Sequence, residues 1–260
     1  MLKRDTRVQI FIVENGKYIL LKHHDIKGDL YFWGVPGGGR ELGETDEEAA
    51  IREAYEETGL KVKLLPIKIE GVPQIKTSMY KRVVTFLAYP IEGKAKLGCE
   101  PEPELKQYYR LVDIKWKDFY DDSGLERITY NEIVTLRNII NSDKFIKKKK
   151  FFICKIVNKI KYCLLFYNEK TKQFKLPSQK NQFISKYIKN FNNKLINDIG
   201  FFLSESNEIL YKTDVIYIDI SDTCNVDTEC RGKWFKCDEL SEINLDRICQ
   251  KIIEKVNKSV

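Results

Sequence analysis

The sequence predicts an α/β protein made of two successive domains. Three observations carry that reading. Short β-branched stretches alternate with segments of helical periodicity, the signature of strands interleaved with helices. The chain has 260 residues, which suits two domains of about 130 residues each. The strand–turn–strand pattern also starts twice, at Thr6 and again at Phe151. Hydrophobic residues make up 43% of the chain, enough for packed cores. No apolar run approaches the roughly 18–20 residues of a membrane span. The start, Met1-Leu2-Lys3-Arg4-Asp5, lacks the apolar stretch of a signal peptide. A cytoplasmic location without a membrane partner is the expectation.

The elements follow in order. Thr6–Val13 alternates and reads as a strand, Glu14-Asn15-Gly16 as a turn, and Lys17–Leu21 as the returning strand. After a polar loop come Trp33-Gly34-Val35-Pro36 and the run Gly37-Gly38-Gly39. A helix is predicted over Asp46–Thr58, because Thr45 and Glu48 have the spacing of a capping box and Gly59 is placed to terminate it. Lys61–Leu64, Lys81–Tyr89 and Tyr108–Ile114 read as strands, and Leu125–Ile140 has helical periodicity. Residues 144–150 contain four consecutive lysines, Lys147–Lys150. Mutual repulsion there favours an exposed basic connector between a domain at 1–143 and one at 151–260. In the second half Phe151–Val157 and Tyr162–Tyr167 read as strands and Gln182–Ile199 as a helix. Ile209–Ile220 reads as a strand, and a closing helix carries Leu240, Ile243, Ile248, Ile252 and Val256.

Chemistry concentrates in the first helix. Glu53, Glu56 and Glu57 stand at i, i+3 and i+4, so three carboxylates crowd one helical face. Like charges at those spacings cost a few tenths of a kcal/mol per pair, unless a hard divalent cation sits among them. Arg52 lies four residues before Glu56 and can orient a carboxylate. An acidic solvated helix would have the same composition, but three glycines precede this one. Glycine alone permits arbitrary φ and close backbone approach, so a loop, a capped helix and a carboxylate face together suit a phosphate–metal site.

From Gly38 to Leu60 the spacing is Gly38, five residues, Glu44, seven residues, Arg52-Glu53, Ala54, one residue, Glu56-Glu57, one residue, Gly59, Leu60. This resembles the Nudix box at every defining position, and Trp33–Pro36 resembles the strand that leads into it. The resemblance implies an α/β/α sandwich with a mixed sheet. It implies hydrolysis of a pyrophosphate linkage in a nucleoside diphosphate derivative, with Mg²⁺ as cofactor and Mn²⁺ as the alternative. By position, Glu53, Glu56 and Glu57 correspond to the metal-ligand glutamates, Glu44 to an earlier glutamate near the metal, and Arg52 to the orienting arginine. Gly38 shapes the substrate loop together with Gly37 and Gly39. A later carboxylate often joins such a site; Glu100, Glu102 and Glu104 are the candidates. Tyr31, Trp33 and Tyr80 are aromatics that could stack on a base, although such residues more often serve core or surface packing.

The second half repeats part of this pattern. Pro177 and Gly200 are 23 residues apart, as are Pro36 and Gly59, an offset of 141. Phe174–Pro177 mirrors Trp33–Pro36, Lys161–Leu165 mirrors Lys17–Leu21, and Phe201 mirrors Leu60. The functional positions differ. Gly38 becomes Gln179, Glu44 becomes Ser185, and Arg52, Glu53, Glu56 and Glu57 become Asn193, Lys194, Asn197 and Asp198. A tandem arrangement with a degenerate, metal-poor second copy is therefore expected.

Charge follows the same division. Residues 1–143 carry 22 basic and 24 acidic side chains, and residues 144–260 carry 23 and 14. A basic second half suits nucleic acid or a solvated surface. The main rival to an enzyme is a binding module in which that half holds RNA and the first half senses a nucleotide. As an enzyme, the chain would take a nucleoside triphosphate, ADP-ribose, a dinucleoside polyphosphate or an RNA 5′ end. Pairing of two chains is a further option. The seven cysteines form no CxxC pair. Cys224, Cys230 and Cys237 lack zinc-ribbon spacing, so reduced thiols are expected.

Overall fold

The structure, a computed structural model, describes residues 5–73, 80–98, 108–178, 196–219 and 232–257. It divides into two compact units, one of residues 1–146 with 203–210 and one of residues 147–202 with 211–260.

In the first unit β1 (Thr6–Glu14) and β2 (Lys17–Asp25) form an antiparallel hairpin. Asn15 and Gly16 both have positive φ, 52° and 67°, as a tight two-residue hairpin turn requires. The two strands pair only beside that turn and then diverge. β1 continues against β6 (Arg82–Glu92) in parallel and against β4 (Gly37–Gly39) antiparallel. β2 continues between β3 (Leu30–Gly34) and β7 (Tyr109–Asp118). With β5 (Lys61–Gly71) on β6, the order is β3-β2-β1-β6-β5 in a mixed seven-stranded sheet.

Strand alternation assigns the two faces. Ile10, Ile12, Val84, Phe86 and Ala88 pack with Ala50 and Ala54 of α1 (Asp46–Thr58). Neighbouring positions on the other face, Arg7, Gln9, Val83 and Thr85, meet Ile128, Asn131 and Glu132 of α2 (Arg127–Asn141) across a cavity of about 310 Å³. The sheet is thus covered by a helix on each side.

The second sheet is built from β8 (Phe145–Val157), β9 (Ile160–Asn168), β10 (Gln173–Lys175), β11 (Ile196–Ser206), β12 (Ile209–Asp219) and β13 (Lys233–Lys236), whose residues belong to the second unit except 145–146 and 203–210. A 3-10 helix, Cys237–Glu242, and α3 (Arg247–Asn257) follow. The strand order is β10-β9-β8-β12-β11 with β13 on β9. This repeats the first sheet, where β7 stands on β2. Phe152, Cys154, Cys163, Leu165, Phe202 and Val215 pack with Cys249, Ile252 and Ile253 of α3 in its core.

Several expectations change. The glycine run is a strand, not a loop. A side chain at Gly37 (φ 153°) would come within 2.2 Å of the Val8 carbonyl oxygen, which explains why β-propensity gave no sign of it. Lys147–Lys150 lie in β8 rather than in a connector, with Lys150 paired to Asp246 and Lys148 set over the Tyr211 ring. The strand at Lys61 runs on to Gly71 through an irregularity between Leu64 and Lys68. Most of the helix expected over Gln182–Ile199 lies outside the described residues, but Ile196–Ile199 belong to β11. Gly200, the counterpart of Gly59 in the Pro–Gly spacing, stands inside the strand at φ 130°.

Candidate active site

Helix α1 begins and ends as its sequence dictates. The Thr45 hydroxyl accepts from Glu48 N while the Glu48 carboxylate accepts from Thr45 N, the reciprocal capping box. Gly59 closes the helix in the left-handed region at φ 68°, its N–H donating to Tyr55 O. Between those ends Ala49, Ala50 and Ala54 face the sheet. Their small size brings the helix close to β4.

That closeness shapes the site. Glu53 and Glu57 are one turn apart and both buried, at 2% exposure each, against the glycine strand. Glu57 Oε2 accepts from Gly37 N at 2.7 Å. A Cβ added at Gly38 would stand 2.4 Å from Glu53 Oε1, so the absence of a side chain at Gly38 is what admits the carboxylate.

Arg52 ties the remaining parts together. Its Nε and Nη2 donate to the two oxygens of Glu44 at 2.8 and 3.0 Å, a bidentate pair. Nη1 donates to Glu53 Oε1 at 2.8 Å and Glu56 Oε2 at 3.0 Å, and Nη2 also reaches Gly39 O at 3.1 Å. Hydrogen bonding to Glu44, the charge of Glu53 and hydrogen bonds to Glu53 and Glu56 outweigh burial and keep the guanidinium protonated. Burial pushes the Glu53 carboxyl above its ordinary range; Arg52 works against that shift and Glu56 adds to it.

The three glutamates do not form one uniform face. Glu53 and Glu57 point to the glycines, Glu56 stands on the half-exposed rim, and Arg52 joins Glu53 to Glu56. Among the described residues no three acidic, thiol or imidazole groups converge on one point. Glu44, expected near the site, is there through Arg52. Glu100, Glu102 and Glu104 lie outside the described residues. The chain leading toward them folds over the end of α1, with Lys96 N donating to Thr58 O and Gly98 N to Glu57 O.

Two features had no sequence signal. The close packing at Gly98, where a Cβ would meet Glu56 O at 1.8 Å, depends on tertiary contact. So does the cavity beside α2, where burial raises the Glu132 carboxyl to about 7 against the opposing charge of Arg7. Tyr80 lies beside Arg7, whose guanidinium carbon is 5.9 Å from the ring centre. In the second half, Gln179, Ser185, Asn193 and Lys194 fall outside the described residues. Asn197 and Asp198 stand on a strand rather than a helix, so they do not reproduce the placement of Glu56 and Glu57.

Comparison with known proteins adds to this geometry. The family model described as the NUDIX domain matches residues 3–125. An RNA pyrophosphohydrolase from Brucella anthropi is 44% identical over 104 residues, 35% of this chain and 60% of that protein. An ADP-ribose pyrophosphatase from Methanocaldococcus jannaschii is 32% identical over 125 residues, 46% of this chain and 64% of that protein. The chain thus spans a little over half to nearly two thirds of the length of such curated relatives. A solved NUDIX-family hydrolase from Clostridium perfringens aligns with 54% of this chain and 100% of its own at 22% identity and a TM-score of 0.40. No helix among the described residues is long and apolar enough to cross a membrane. The glycine strand and the capped helix with its Arg52-held glutamates fall within the stretch, residues 3–125, that the NUDIX family model matches.

Proposed function

We propose that the NUDIX domain hydrolyses a pyrophosphate linkage in a nucleoside diphosphate derivative, using Mg²⁺ or Mn²⁺. The observation that carries this reading is the Arg52 cluster, in which one guanidinium sets Glu44, Glu53 and Glu56 beside a strand without side chains. The donor set fits a hard divalent cation. Glu53, Glu56 and Glu57 offer carboxylate oxygens to such an ion. When bound there, the ion supplies neutralisation of phosphate charge and a more acidic water.

The chain's own residues do the rest. Arg52 is spent on orientation, since its donors are engaged by carboxylates and Gly39 O. Gly37 N holds Glu57 in place. The bare backbone of Gly38 and Gly39 lets a phosphate approach without a steric barrier. The cavity beside α2 lies on the opposite face of the same sheet, with Gln9, Asn131 and Glu132 offering polar groups to the organic part of a substrate.

The second unit is, in this proposal, a degenerate copy of the same domain, starting near residue 147, that has lost the chemistry. Its repeated strand order supports this. So does a matched hydrogen bond at an offset of 141, Ile10 N to Pro36 O at 2.9 Å and Phe151 N to Pro177 O at 3.0 Å. The pairs Gln9↔Gly37 and Lys150↔Ser178 agree at the same offset. The sheet register adjusts one detail. Lys22↔Trp33 and Tyr167↔Phe174 equate Lys22 with Tyr167, so Lys17 corresponds to Tyr162 and not Lys161. A one-residue shift exchanges the two faces of a strand, which makes register the better guide.

The test is Mg²⁺-dependent release of phosphate, pyrophosphate or nucleotide by the full chain. The panel is a nucleoside triphosphate, ADP-ribose, a dinucleoside polyphosphate and a 5′-triphosphorylated RNA. Turnover of at least one, abolished by chelator, supports the reading. Inactivity on the whole panel with either metal overturns it.

A further inference from the structure

The second unit carries a group that the hydrolase reading leaves unused. Its described free cysteines, Cys154, Cys163, Cys237 and Cys249, share one core. Register shows how they meet. Cys154 of β8 stands directly opposite Cys163 of β9. On the other side of β9, Phe235 of β13 stands opposite Cys163. Cys237 follows two residues later, so it projects to the same face of the sheet. There β13 ends and the chain turns into the 3-10 helix Cys237–Glu242. Cys249 of α3 packs onto that face as well.

A buried thiol is ordinarily a small apolar filler. Cys249 has a settled place of that kind. Its sulfur accepts from Leu176 N at 3.0 Å, and burial together with the charge of Asp246 keeps its thiol protonated. Cys163 and Cys237 differ, because their thiols share a hydrogen bond in which Cys163 is the donor. That bond, and then burial, pushes the Cys163 thiol up. The same bond, with the charge of Lys161 adding to it, brings the Cys237 thiol down against burial and Asp238. Exposure divides the two in the same sense. Cys237 keeps 6% of its surface, whereas Cys154, Cys163 and Cys249 keep none. A small oxidant therefore meets Cys237 first and finds Cys163 behind it. The cluster does not suit a metal, since among the described residues no three thiol, imidazole or carboxylate groups converge.

We propose that Cys163 and Cys237 are a peroxide-sensitive pair whose disulfide locks the second unit. The Cys237 sulfur attacks one oxygen of hydrogen peroxide. The S–O bond forms, the O–O bond breaks, and the departing hydroxide leaves as water with the thiol proton. The Cys163 sulfur then attacks the sulfenic acid at Cys237. The S–S bond forms, the S–O bond breaks, and the Cys163 proton completes a second water. Two thiols are oxidised to one disulfide while one peroxide is reduced to two waters. The bond ties β9 to the 3-10 helix and closes a loop that holds more than half of the second unit. Such a closure removes freedom from the opened chain, so the linked unit opens less often. The inference does not depend on the hydrolase reading.

The test uses the full chain, freshly reduced, treated with hydrogen peroxide under native conditions and mapped by mass spectrometry. The expected product has lost two hydrogens, yields a linked Cys163–Cys237 peptide and reverts with dithiothreitol. In Cys163→Ser the second step is blocked, so dimedone should trap a sulfenic acid at Cys237. Alkylation of Cys154 and Cys249 should be several-fold slower in the oxidised chain than in the reduced one. The peptide map of the native sequence decides the pairing even if the variant does not fold. No linkage overturns the proposal, as does one that joins Cys154 to Cys163 or engages Cys99, Cys224 or Cys230 instead. A folded Cys163→Ser chain without the dimedone label overturns Cys237 as the point of attack. Linkage with unchanged alkylation overturns the lock.

Discussion

The two units share a strand order and differ in what that order supports. At the 141-residue offset, Arg7 and Gln9 of β1 correspond to Lys148 and Lys150 of β8. In the first unit those positions line the cavity beside α2. In the second, Lys150 Nζ is paired with Asp246 Oδ2 at 2.7 Å, and Lys148 Nζ sits 3.2 Å from the Tyr211 ring centre. Asp246 also accepts from Cys249 N at the start of α3. Where the first unit leaves space with polar walls, the second closes strand to helix with an ion pair. The sheet is maintained by buried apolar side chains, which tolerate substitution if volume and pattern persist. A catalytic cluster depends on charge geometry that a single replacement destroys.

The largest expected effect breaks that comparison most directly. Glu56→Gln and Glu57→Gln should each lower turnover on the order of 1,000-fold, since ligand carboxylates support several kcal/mol of charge stabilisation. Asp198→Asn, at the one acidic residue among the positions aligned with the site, should leave turnover unchanged. Steady-state rates at saturating Mg²⁺ check both. A large loss with Asp198→Asn would mean the second unit takes part in the chemistry.

Next comes the glycine strand. Gly38→Ala places a methyl group 2.4 Å from Glu53 Oε1. It should destabilise the first unit by about 1–3 kcal/mol, the usual cost of overpacking, and impair turnover. The double variant Gly38→Ala, Glu53→Ala should recover most of the stability without recovering activity. Urea midpoints settle it; no recovery would mean the backbone itself, not the glutamate, demands glycine there.

What was legible in the sequence follows the range of the forces involved. The cap at Thr45, the stop at Gly59 and the Asn15-Gly16 turn are set within a few residues, and the structure has all three. That Arg52 could orient Glu56 was readable because the two stand four residues apart on one helix; its bidentate hold on Glu44, across the entry loop, was not. The strand at Gly37–Gly39 was not, since its only argument for being a strand is the edge of β1. Nor was the extension of β8 back to Phe145, because repulsion among Lys147–Lys150 says nothing about the ladder partners available. The aligned helix in the second half misled at Asn197 and Asp198 because equal spacing between Pro and Gly does not require equal conformation between them.

A pH experiment sharpens the contrast in buried charge. Burial lowers His23 to about 4, with Arg7 adding to the shift. Glu132 is raised to about 7 by burial, with Arg7 opposing it. Between pH 4 and 6.5 the unfolded chain binds the His23 proton more readily, so that contribution to stability rises with pH. Between 4.5 and 7 the folded chain holds the Glu132 proton more readily, so that contribution falls with pH. The two nearly cancel in the native protein. At 1.36 kcal/mol per pKa unit each amounts to about 3 kcal/mol at most. Glu132→Gln should therefore expose a rise in stability from pH 4.5 to 6.5, and His23→Gln a fall over the same window. Urea midpoints across that range test the signs; parallel curves for both variants and the native chain would rule out the pair as opposed titrating groups.

The smallest effect concerns the ion pair that occupies the cavity position in the second unit. The side chains of Lys150 and Asp246 are 16% and 26% exposed. Lys150 holds the Asp246 carboxyl below its ordinary range despite burial. Lys150→Gln installs the amide that the first unit has at Gln9 and leaves Asp246 without its ammonium partner. Asp246→Asn keeps an oxygen for Cys249 N while removing the charge. A double-mutant cycle on these two should give a coupling of about 1 kcal/mol, the upper range for partly exposed pairs. Among the described residues, the free cysteines, Cys154, Cys163, Cys237 and Cys249, are all buried and all in the second unit. Their alkylation rate therefore reports the opening of that unit alone. Lys150→Gln should speed alkylation several-fold, and the Lys150→Gln, Asp246→Asn pair should bring it partly back. Turnover should not move in any of the three, because the ion pair closes a place where the first unit binds and the second, on this account, does not. If Lys150→Gln slows hydrolysis while alkylation stays constant, the lysine serves the reaction, and the second unit is more than a frame that outlasted its chemistry.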